Sequence, residues 1–166
     1  MDALTVDAWS DFAVGVAGAA AALTGLLFVA VSINLREIIA SSLSPGRAIL
    51  SLILLATPVF VALGLLIPQS AQALGVELLA VVALIGPALG RLSNSTRGIA
   101  EQPTGGWLLT NLLPATVLTL GTALAGISLL TGVAGIGGLY WIPAAVVFSM
   151  LGGLVNAWVL LVEILR

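Results

Sequence analysis

The chain contains no cysteine, no histidine and no lysine, and only 7% of its 166 residues are charged. Without cysteine there are no disulfides, thiolate nucleophiles, iron–sulfur clusters or thiolate-bound metals. Without histidine the usual haem, copper and zinc ligands are missing as well. Soluble domains carry roughly a quarter charged residues, so a chain that is 60% hydrophobic, with mean hydropathy +1.24, belongs in a membrane. A net charge of −2 argues against a nucleic-acid partner. No paired catalytic carboxylates, nucleophile–base pair or phosphate loop is present, because the glycines of GVAGIGG are not followed by a basic residue. The expectation is a non-enzyme with no cofactor and no metal.

What is abundant is long apolar sequence. The first run extends from Trp9 to Leu35 with Asp11 as its one ionised side chain, enough to cross a bilayer with some tilt. The acidic segment before it, MDALTVD, lacks the positive n-region of a signal peptide, so this run is expected to persist as a helix. Four more runs follow, and the predicted fold is an all-α transmembrane bundle, one domain over 1–166, with spans at about 9–35, 48–67, 76–92, 107–130 and 139–165. Pro58 lies inside the second span and Pro114 inside the fourth. The third is the weakest, because its apolar core includes Gly86 and Pro87 and is short, which leaves a re-entrant segment as the alternative.

The arginines set the orientation. With five spans, Arg36, Arg47, Arg91, Arg97 and Arg166 all fall on one side, and the segments on the other side carry no cation. The positive-inside rule then places the N-terminus outside and the C-terminus in the cytoplasm. Four spans would split the arginines between the two faces. Trp9 and Trp141 are expected at the outer interface, Trp107 and Trp158 toward the inner one.

Three spans carry stripes of small or polar residues at helical spacing. On the first these are Gly15, Gly18, Ala22, Gly25 and Ser32, bracketed by Asp11 and Arg36. Asn111, Ala115, Thr119, Thr122 and Gly126 share a face on the fourth, and Ala145, Ser149, Gly152, Asn156 and Glu163 on the fifth. Helices in lipid associate by close approach of small residues and by interhelical hydrogen bonds, so these faces read as packing surfaces. The alternative is that they line a water-filled path in an oligomeric passive channel for ions or small solutes. The acids Asp11, Glu37, Glu77 and Glu163 lie near span ends, which argues against a proton pump or ion-coupled transporter. Asn34, Arg36, Glu37, Glu163 and Arg166 form an expected polar cluster at the inner side, with Arg36 paired to Glu163.

The run GAAAALTGLLFVAVSINLREI, the mid-chain PGR and GVELLAV, and the ending GGLYWIP with NAWVLLVEILR resemble a family of small bacterial polytopic membrane proteins sometimes labelled modulators of the FtsH protease. The resemblance implies a multi-pass helical protein of the bacterial cytoplasmic (inner) membrane without assigned catalytic residues. It carries over Asn34, Arg36, Asn156, Trp158, Glu163 and Arg166 as motif positions. The expected partners are the lipid bilayer and either a second copy of the chain, in a homo-oligomer, or a larger membrane complex. Modulation of a membrane protease is a further alternative.

Overall fold

The computed structural model describes residues 4–40, 44–95 and 104–164, with the side chains of 44, 104, 163 and 164 excepted. All regular structure among them is helical. A 3-10 turn, Val6–Trp9, leads into α1, Ser10–Ile33, and a short α2, Leu35–Ala40, follows. α3 is Ser44–Leu66 and α4 is Ala71–Ser95. α5, Thr104–Trp107, runs through a π turn, Leu108–Leu112, into α6, Leu113–Thr131. α7 is Trp141–Ile164.

Among the described residues five stretches are long and apolar enough to cross a membrane: Val6–Ile33, Pro45–Leu66, Ala71–Ser95, Gly105–Thr131 and Ala134–Val162. The third differs most from its expected bounds. α4 has 25 residues, about 37 Å at the helical rise, and passes Pro87 unbroken. The residues it adds are 71–75 and 93–95, whose Gln72 and Asn94 interrupt the apolar run without interrupting the helix.

α3, α4, α6 and α7 close into a ring, each packed on its two neighbours, while α1 docks from outside, mainly on α3. α1 turns Ala13, Val16, Ala20 and Leu27 inward. The core holds Leu65, Leu74, Leu129 and Leu139 toward one end and Leu50, Leu54, Leu89 and Leu118 farther along. α4 and α6 cross closely: a Cβ on Gly75 would lie 2.8 Å from the Gly126 carbonyl oxygen, and one on Gly126 would lie 3.0 Å from that of Gly75. Only glycine at both positions allows that approach.

The two ends of the bundle differ in charge. At one end Ile38 of α2, Ala48 of α3 and Leu160 of α7 pack together, and the first turn of α3 adjoins the last of α4. This end carries Arg36, Arg47 and Arg91. At the other, Trp9 meets Tyr140 edge to face with ring centroids 5.3 Å apart. The glycines of GVAGIGG make backbone turns there: Gly132, Gly137 and Gly138 have φ of 72°, 105° and 51°, and the Gly132 N–H closes α6 by donating to Ser128 O.

Candidate functional site

Proline in a helix removes one N–H and leaves the carbonyl four residues earlier without its partner. In hydrocarbon that carbonyl must find another donor. Pro58 leaves Leu54, and Pro114 leaves Thr110. Both are satisfied from α7. The Ser149 hydroxyl donates to Leu54 O at 2.5 Å, and Asn156 Nδ2 donates to Thr110 O at 2.7 Å and to its own-helix Gly152 O at 3.0 Å. Ser149 and Asn156 stand two helical turns apart on one face, the spacing that reaches both neighbours. The π turn Leu108–Leu112 sits where α6 accommodates Pro114.

Between these hydrogen bonds the α7 backbone lies directly against side chains of α3 and α6. A Cβ on Gly152 would overlap the Pro114 ring, and one on Gly153 would lie 2.7 Å from Leu55 Cγ. Toward the opposite end of the same seam, a Cβ on Gly121 would be 3.0 Å from the Ala145 Cβ. The small residues of the fifth span are therefore a template for two proline-bearing helices, and that face is closed by direct contact.

Asn111, in the π turn, is buried; its Nδ2 donates to Thr110 Oγ1 at 2.8 Å, and its Oδ1 accepts no hydrogen bond. Thr119 is half-buried and spends its hydroxyl on Ala115 O and Thr116 O, while Thr122 and Gly126 are buried against the bundle interior. Trp107, expected in an interfacial belt, is instead buried and donates Nε1–H to Ser93 O at 3.1 Å, tying the fourth span to the third. Trp158 is 70% exposed on the outer face of α7.

The stripe of the first span has a different environment. Gly15, Gly18, Ala22, Gly25 and Ser32 all lie on the exposed face of α1, and no atom comes within 4 Å of where a Cβ on Gly15, Gly18 or Gly25 would lie. Ser32 returns its hydroxyl to Phe28 O at 2.7 Å. Asn34 ends α1, with Nδ2 donating to Ala30 O at 2.9 Å. Arg36 and Glu37 are exposed on α2. Arg166 and the Glu163 side chain lie outside what is described, and so does the expected Arg36–Glu163 pair.

Arg47 is the residue the sequence reading passed over. It reads there as a loop charge that marks topology, yet it sits in the first turn of α3, 1% exposed and engaged by a partner. Its position after Pro45 and Gly46, a start signal for a helix, was the available hint. Among the described residues no three acidic side chains come together as a metal site would need.

Compared with family models, curated proteins and solved structures, the chain matches none.

Proposed function

We propose that this protein is a non-enzymatic, multi-pass component of a bacterial cytoplasmic membrane that works by helix packing, associating with a second copy of itself through the small-residue face of α1. The observation that carries this reading is the contrast between stripes. Those of the fourth and fifth spans are used within the protomer, whereas Gly15, Gly18, Ala22 and Gly25 are exposed along the least enclosed span. Small residues favour helix association in lipid because they let backbones approach, and a two-fold contact uses one face twice. An accessory role in a larger membrane complex is the same mechanism with a different helix on that face. The arginine-bearing end faces the cytoplasm in this reading, supported by the uncharged connecting segments 67–70 and 132–138 at the other end.

The absence of native cysteine makes the test direct. Ala22→Cys, on the open face, should give a disulfide-linked species of twice 16.7 kDa in oxidised membranes, while Phe60→Cys, exposed on α3, should not. A cross-linked species of another mass assigns the face to a different protein. No cross-link from Ala22→Cys, together with a monomeric mass in mild detergents and nanodiscs, rejects the proposal.

A further inference from the structure

The geometry points to a phospholipid site between α3 and α4, selective for a headgroup carrying a primary ammonium. These two helices are joined by the short loop 67–70 and are the least tightly packed neighbours in the ring. Two cavities lie along their outer side. One, of about 380 Å³, adjoins the loop and is lined by Leu63, Gly64, Glu77 and Ala80. The next, of about 260 Å³, continues it past Ile53, Thr57 and Ile85, and both share Phe60 and Val81. They form one apolar groove that follows α4 from Glu77 to Ile85, about 12 Å at the helical rise. Phe60 and Leu84, 63% and 80% exposed, leave it open to the bilayer.

At the polar end of the groove the Gln69 amide donor is already engaged, which leaves acceptors for a ligand. Gln69 Nε2 donates to Gly64 O at 3.0 Å and to Glu77 Oε2 at 2.8 Å, which fixes the amide and one carboxylate oxygen. Gly64 lets the carboxylate lie flat on α3, since a Cβ there would be 3.2 Å from Glu77 Oε2. Among the described residues Gln69 is the one donor to Glu77, so the exposed Glu77 carboxylate keeps Oε1, and the half-buried Gln69 amide keeps its own Oε1, with acceptor capacity unused. A carboxylate at the edge of hydrocarbon is costly without a counter-charge, and this end of the bundle has no arginine in its connecting segments.

The complementary ligand has an acyl chain for the groove and a cation that donates several hydrogen bonds. A primary ammonium offers three N–H groups. A choline headgroup has the charge without a donor, and a glycerol headgroup brings a phosphate anion with no compensating cation. Phosphatidylethanolamine is therefore the occupant, with its ammonium between Glu77 and Gln69 and one acyl chain beside Phe60 and Val81.

The test is native mass spectrometry of the full chain with dioleoyl phosphatidylethanolamine, phosphatidylcholine and phosphatidylglycerol added in turn. The expected result is a preference for the ethanolamine lipid of about threefold to fivefold, the scale of a partly exposed ion pair. Glu77→Gln keeps the shape and the Gln69 contact and should abolish that preference while leaving the melting temperature unchanged. Val81→Trp fills the groove from the bilayer side and should reduce adducts of all three lipids. Equal binding of the three lipids by the wild type, an ethanolamine preference that survives Glu77→Gln, or adducts untouched by Val81→Trp would each overturn the assignment.

Discussion

Asn156 of the last helix supplies to Thr110 the hydrogen bond that Pro114 withholds, at 2.7 Å. Ser149 does the same for Leu54, which Pro58 leaves open. Two proline-bearing helices are held by a third whose polar residues are set two turns apart, so the seam is where mutation should reveal coupling.

Asn156→Ala should destabilise the protein by about 1–2 kcal/mol, because it strands the half-buried Thr110 carbonyl in a medium without water. The decisive comparison is with Pro114→Ala, which restores a backbone N–H for Thr110. In that background Asn156→Ala should cost clearly less, giving a coupling energy in a double-mutant cycle followed by unfolding in mixed micelles. Strict additivity would show that Asn156 does not stand in for the proline.

The same cycle applied to Ser149→Ala and Pro58→Ala should give coupling of the same sign. It should be independent of the Asn156 pair: these hydrogen bonds reach different helices, and combining the two alanine variants should give additive losses.

Gly152→Ala and Gly18→Ala should behave oppositely although both exchange glycine for alanine in an apolar helix. At Gly152 the new methyl meets the Pro114 ring, so a loss of about 1–3 kcal/mol is expected. At Gly18 it meets nothing within 4 Å, and the gain in helix propensity should hold or raise the melting temperature of the protomer. Gly18→Leu should weaken self-association, read as mass in nanodiscs, while sparing that melting temperature.

Topology is checked by reporters. A fusion after Arg166 should be active only as a cytoplasmic reporter, and one inserted in the 67–70 loop only as a periplasmic reporter. The reverse pattern would invert the bundle, and matching activity at both sites would remove a span.

Much of the architecture was legible in the amino-acid order, since in a membrane the backbone must satisfy itself and a sufficiently long apolar run has to be a helix. The five spans follow from that constraint. The polar ends of α4 were harder to read, because Gln72 and Asn94 are helical in the structure but break a purely apolar count.

Small residues on one helical face were equally visible for three spans, yet sequence alone did not say what each face would meet. A glycine stripe looks the same whether it presses on a proline ring, as Gly152 does, or lies open, as Gly18 does. Helical periodicity fixes which residues share a face, but the direction in which that face points is set by how all the helices pack around one another. For the same reason Pro58 and Pro114 announced the open carbonyls of Leu54 and Thr110 in advance, four residues upstream by covalent geometry. That Ser149 and Asn156 would close them was decided only when α7 came to lie between α3 and α6.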